Sequence, residues 1–186
     1  ENISTGKYSL ASGFQNEATG DYSTALGYKN IASWKYSFAG GEESVASGLR
    51  AFAYGQFAEA QGARSLALGK NVTAMGGNSV VIGRCARTLT SDAMIIGYGA
   101  DPDNYLENNI SGSLMIGFGS DVPTLFVGHA SGAGKTGSVG IGTTNPTAQL
   151  EVNGPFKVTD WSYLQTINLG GYDINQVDEI IGNNRK

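Results

Sequence analysis

Glycine recurs every fourteen residues along the first half of this chain, and no other feature limits its fold so strongly. Gly13, Gly27, Gly41, Gly55, Gly69, Gly83 and Gly97 fall in one column without a miss. A fixed short period is the mark of a repeat architecture. A second column lies seven residues out of phase, at Gly6, Gly20, Gly48, Gly62 and Gly76, interrupted by Trp34. Each repeat thus has two similar halves, and each half closes on glycine.

The residues between glycines alternate. Two positions before the main column stand Ala11, Ala25, Ala39, Ala53 and Ala67, then Val81 and Ile95; four before stand mostly serines, such as Ser9, Ser23 and Ser37. The interleaved positions carry bulk, as in Leu10, Phe38, Phe52, Leu66, Val80 and Met94. Alternation with period two predicts β-strands, because successive side chains leave opposite faces. Fourteen extended residues trace about 46 Å, enough for two five-residue strands and two tight turns. One such loop encloses no core, but loops stacked at about 4.8 Å bury a continuous apolar column. The chain is therefore predicted to be all-β, a parallel β-solenoid (a β-roll of 14-residue repeats) in which each chain contributes a single coil. The bulky face is expected inside the coil. The small Ser/Ala face is expected to press against sister copies in a closed assembly. The second half-repeat, with Glu17, Ile31, Val45, Glu59 and Thr73, reads as a more solvent-facing strand.

At 40% hydrophobic residues the chain is too apolar for a disordered linker. A net charge of −4 with no run of Lys or Arg argues against a nucleic-acid or anionic-membrane partner. No apolar run approaches the ~18–20 residues that span a bilayer. Glu1 opens the chain inside a repeat, so it is expected to be a fragment or a processed piece of a longer fibre. A single cysteine, Cys85, leaves no internal disulfide to form.

The strings STALG (23–27), SVASG (44–48), SLALG (65–69) and SVVIG (79–83) resemble the S-x-A-x-G repeats of trimeric autotransporter adhesin heads. The resemblance covers about residues 4–97, and residues 113–142 more loosely. It implies a left-handed parallel β-roll, a homotrimer and a place outside the cell, on a bacterial or virion surface. SVGIGTTNPTAQLEVNG (138–154) resembles a junction found in bacteriophage tail fibres and in some secreted bacterial surface proteins.

Four segments are expected: regular repeats over 1–97, an inserted surface loop over 98–112, an irregular roll continuation and junction over 113–154, and a cap or connector over 155–186. The last is expected to hold short strands (FKVTD, YLQTINL) and a helical turn near Gln176–Ile181.

Candidate chemistry is sparse. GHASGAGKT (128–136) misses the phosphate-binding loop, since His129 stands where its first glycine belongs and a strand rather than a helix follows. His129 and Cys85 lack the spacing and further ligands of a zinc site. Asp101, Asp103 and Glu107 lack the glycine and the terminal glutamate of an EF-hand loop. No catalytic residue, metal or cofactor is assigned. Binding is expected at the inserted loop (Tyr98, Asp101, Asp103, Asn104, Tyr105) and at a fourteen-spaced aromatic column, Tyr8, Tyr22 and Tyr36, which Arg50 and Arg64 continue. Sequons at Asn2, Asn71 and Asn109 matter only in a host that glycosylates them. The expected function is a structural and adhesive trimeric fibre module rather than an enzyme. Its partners would be two further copies of itself and a host surface receptor, such as a glycan or matrix-like ligand. The junction string makes a bacteriophage tail or head fibre, or receptor-binding protein, the expected setting, with a bacterial cell-surface adhesin head as the alternative; a carbohydrate-degrading tailspike, which needs paired carboxylates along a groove, is the alternative of another class.

Overall fold

In the computed structural model the described residues are 1–157. The chain divides into units 1–154 and 155–186, and the strands and helical turn expected beyond residue 157 lie outside the described residues.

Among the described residues every regular element is a strand. The chain runs through β1 (Ile3–Ser4), β2 (Leu10–Phe14), β3 (Glu17–Ala18), β4 (Thr24–Tyr28), β5 (Ile31–Ala32), β6 (Phe38–Glu42) and β7 (Val45–Ala46). Three long strands follow, β8 (Phe52–Ala60), β9 (Leu66–Ala74) and β10 (Val80–Thr88). The rest are β11 (Met94–Tyr98), β12 (Leu106–Asn108), β13 (Leu114–Phe118), β14 (Leu125–Val127), β15 (Val139–Ile141) and β16 (Leu150–Val152).

Pairing is parallel and in register from β1 to β13. Along the main ladder Gly13 sits beside Gly27, Gly27 beside Gly41, Gly41 beside Gly55, and so on to Gly97. The second ladder pairs Glu17 with Ile31 and Val45 with Glu59 in the same way. This is the expected β-solenoid with a fourteen-residue rung. The main glycines hold φ between 96° and 145°, and a Cβ on Gly55 would fall inside the carbonyl oxygen of Gly69. Glycine is required there twice over, for the dihedral and for the approach of the next rung.

The two faces of the main strand are the reverse of the expectation. The small column points inward: Ala25, Ala39, Ala53, Ala67, Val81 and Ile95 are fully buried, facing Ala18, Ala32, Ala46, Ala60 and Ala74 of the second ladder. The bulky column points outward, with Leu10, Phe52, Leu68, Ile82, Met94 and Ile96 exposed. A fourteen-residue loop is too narrow to enclose paired Leu and Phe side chains, so the lean face must be the interior. The serines of that face are therefore not a contact for sister copies. Ser9, Ser65 and Ser79 each donate Oγ–H to the carbonyl three residues back, at 2.6–2.7 Å, and close the turn. Ser23 Oγ is buried without such a partner.

At the opposite corner a buried asparagine spine, which the sequence reading missed, runs up the first rungs. Asn30 Nδ2 donates to the carbonyls of Leu26 (2.9 Å) and Gly41 (2.8 Å) and to Asn16 Oδ1 (3.0 Å). Asn30 Oδ1 accepts the Ser44 N–H at 2.9 Å, and Asn16 repeats the arrangement with Asn2 and Gly27. The side-chain amide thus takes over the ladder at this corner, where the rung is split into two strands. Farther along, Ala58, Val72 and Ala86 fill the same column, and β8, β9 and β10 run unbroken through it.

The segment 98–112 is not one surface loop. Tyr98 belongs to β11, and β12 rejoins the second ladder beside β10, pairing Ala86 with Leu106 and Thr88 with Asn108. Only residues 99–105 leave the stack. The rung grows from fourteen to twenty residues, as the pairing of Met94 with Leu114 shows, and larger side chains, Ile95, Leu106 and Met115, are buried at this end of the coil. Of the continuation expected over 113–154, β13 keeps the roll in parallel register and the strands after it do not. β14 runs antiparallel to β13, β15 antiparallel to β14, and β16 parallel to β15. These strands cover the stack's last edge, which otherwise presents unpaired amides.

Replacing Asn30 by Ala should lower stability by about 2–3 kcal/mol, because the Ser44 N–H would stay buried without its partner and the Leu26 and Gly41 carbonyls would lose their amide donor, while Asn16 Oδ1 would keep only the backbone N–H of residue 30. Chemical denaturation followed by circular dichroism measures it; a change within about 0.5 kcal/mol would mean that the spine is not stabilising.

Candidate functional site

With the bore filled by alanine, the outward side of the main strands carries the chain's apolar bulk. One column there runs Leu10, Thr24, Phe38, Phe52, Leu66, Val80, Met94 and Leu114; its neighbour runs Leu26, Gly40, Tyr54, Leu68, Ile82, Ile96 and Ile116. In-register stacking makes each column continuous, with Phe38 and Phe52 ring-stacked at 4.7 Å and 7°. Gly40 interrupts its column because a Cβ there would press on the rings of Tyr54 and Phe38. Leu68, Ile82 and Ile96 remain 36–38% exposed despite these neighbours.

One edge of this face is a corner where Tyr8, Tyr22, Tyr36, Arg50 and Arg64 all adopt left-handed backbone, with φ of 56–59°. The tyrosine rings stack at 5.2 and 5.1 Å. Lys7 Nζ lies 5.2 Å from the Tyr8 ring, Lys35 Nζ 5.1 Å from Tyr36, and the Arg50 guanidinium 5.7 Å from Tyr36. The column continues as a hydrogen-bonded ladder, Arg64 Nε to Asn78 Oδ1 at 2.7 Å and Asn78 Nδ2 to Asp92 Oδ1 at 2.9 Å. The ring faces are taken up by one another and by cations, so this corner presents hydroxyls and positive charge rather than an open aromatic platform. Trp34, also exposed, replaces a turn glycine nearby. Gly20 and Gly48 donate N–H to Ala32 and Ala60 carbonyls at 3.2 Å, whereas Trp34 N–H turns to Ser37 Oγ at 3.3 Å.

The inserted loop brings together only part of its expected set. Asp101 accepts the N–H of Asp103 (2.8 Å) and of Asn104 (2.9 Å) and the Asn104 side-chain amide (3.1 and 3.0 Å). The Asn104 amide and these backbone donors hold the Asp101 carboxyl below the ordinary carboxylate pKa. Its charge fastens the loop rather than facing a ligand. Tyr98 packs edge-on against Phe118 at 5.7 Å under the Arg84 guanidinium. Tyr105 is half-buried beneath Arg87, which pairs with Glu107 at 2.6 Å. Tyr8, Tyr22 and Tyr36 lie several rungs away on another corner. Beside the loop a cleft of about 250 Å³ is lined by Lys70, Asn71, Arg84, Cys85 and Asp101. Among the described residues no three His, Cys, Asp or Glu side chains gather where they could hold a metal. His129 is exposed, and Cys85 is buried.

Replacing Asp101 by Asn should speed amide exchange at Asp103 and Asn104 while leaving the melting temperature of the coil unchanged. Because the folded-state pKa is depressed, the native loop's tether is present above the ordinary Asp pKa and is lost as pH falls through the lowered value. Exchange mass spectrometry at falling pH should show the wild-type loop converging on the variant; identical exchange at neutral pH would refute the tether.

Comparison with protein families matches residues 4–30, 39–71 and 60–79 to the YadA head domain repeat. STALG, SVASG and SLALG fall inside these stretches, so the adhesin-head repeat that the strings resemble is present there. No curated protein and no solved structure matches the chain.

Proposed function

We propose that three copies of this chain, built on these head repeats, pack side by side as the rigid head of an extracellular fibre that attaches to a host surface. The observation that carries this reading is the outward apolar stripe. An alanine-filled bore contributes little hydrophobic stabilisation, at about 0.8 kcal/mol per buried CH₂-sized group. The larger apolar reserve sits on the main strands' outer face, over a length of roughly 34 Å. Exposed contiguous apolar faces of this kind mark association sites, and closed cyclic symmetry uses the same stripe on every copy without open-ended growth. The matched repeat favours a bacterial cell-surface head; the 138–154 string favours a phage tail fibre. On this reading the head works by binding, without catalysis: acidic side chains are sparse on the described strands, whereas glycan cleavage requires a pair of carboxylates flanking the bond.

Sedimentation equilibrium should give a mass of three chains. Leu68→Glu with Ile82→Glu, both outside the coil, should give single chains that keep the β circular dichroism spectrum. A single-chain wild type, or a doubly charged variant that stays assembled, would remove the stripe from the account. Incubation with host capsule should leave the polysaccharide's length unchanged, and chain shortening would restore the tailspike reading.

A further inference from the structure

The corner of Tyr8, Tyr22 and Tyr36 continues as Arg50 and Arg64, all with left-handed backbone. That conformation favours Gly, Asn and Asp, and the same corner takes those types farther along, as Asn78, Asp92 and Gly112. Over its first five rungs the chain instead keeps aromatic and cationic residues that the backbone disfavours. The opposite corner supplies an internal control. It too is left-handed, and its residue type changes at every rung: Gln15, Lys29, Glu43, Phe57, Asn71, Cys85. Backbone geometry therefore does not account for the run of Tyr and Arg. A local preference broken repeatedly in one line points to function.

Charge gives the line its chemistry. Lys35, Arg50 and Arg64 occupy successive rungs about 4.8 Å apart, all exposed. The ion pairs among the described residues, Lys29 with Glu43 and Arg87 with Glu107, include none of them. Lys7 extends the row by two rungs. The intervening Asp21 has one carboxylate oxygen engaged by the Lys7 backbone N–H at 2.9 Å. Like charges stacked this closely repel, and an opposing array of anions on the same repeat relieves them. Since the ring faces are occupied, a sugar ring has no platform to stack on. The corner offers ammonium, guanidinium and phenol donors in single file, parallel to the coil axis.

We propose that this corner binds a linear acidic polysaccharide, its sulfate or carboxylate groups laid along Lys35, Arg50 and Arg64. The inference rests on the adhesive reading and names its ligand class. A row of two adjacent rung positions, Lys7 and Lys35 in one and Arg50 and Arg64 in the other, fits a single-chain polyanion, whereas duplex DNA presents two charged strands to a broader surface.

The test uses the full chain on immobilised heparin, with sedimentation mass measured on the same samples. Wild type should bind and elute as salt screens the contact. Arg50→Asn with Arg64→Asn, a residue the corner already accepts at Asn78, should weaken binding by about tenfold or more. Lys70→Gln with Arg84→Gln removes equal charge from the opposite corner and should leave affinity unchanged. No heparin binding, equal losses from both pairs, or preference for duplex DNA over heparin would overturn the assignment. A three-chain mass in a sample that fails to bind separates failure of this inference from failure of the trimeric reading.

Discussion

Fourteen extended residues folded back on themselves leave a bore that admits only small side chains, and the rest of this structure follows from that width. Ala25, Ala39, Ala53 and Ala67 face Ala18, Ala32, Ala46 and Ala60 across it. Bulk displaced from the bore must go outside. Because the rungs are in register, it forms stripes: Phe38 beside Phe52, Leu68 beside Ile82, Ile82 beside Ile96. An interior of alanine and an exterior apolar along one flank are the two observations on which the proposed assembly rests.

The corners solve a second problem, that of backbone groups turned away from strand partners. Each is solved by a repeated side chain. On one side serine returns its hydroxyl to the carbonyl three residues earlier. On the other, asparagine supplies both donor and acceptor to the rungs above and below. Buried amides linked in this way polarise one another and fix the register. Where the column turns to Ala58, Val72 and Ala86, the backbone carries the ladder itself and the strands become continuous.

Length variation is tolerated only where it leaves the stack. The six extra residues of this rung fall within the seven-residue segment 99–105 between β11 and β12, tied by Asp101, while both flanking strands keep their partners. Beneath this loop the interior holds the larger side chains Ile95, Leu106 and Met115. β14 then reverses direction and covers β13, closing the edge that a parallel continuation would have left open.

Period, strand type, parallel stacking and turn glycines were legible in the sequence, because each depends on local backbone chemistry that recurs at fixed spacing. The asparagine spine was legible too, in the fourteen-residue spacing of Asn2, Asn16 and Asn30, but a sparse polar column is easily passed over beside the glycines. Which face of the main strand turns inward was not legible, since alternation gives two faces without saying how wide the enclosed space is. The line of Arg50 and Arg64 after the three tyrosines was legible from the same spacing, but that Lys35 and Arg50 both lie over the Tyr36 ring was not, because residues a full rung apart in the chain become neighbours only when the rungs stack. The sequence by itself determined the rung; the tertiary structure decided inside from outside, because only the closed coil sets the bore against side-chain volume.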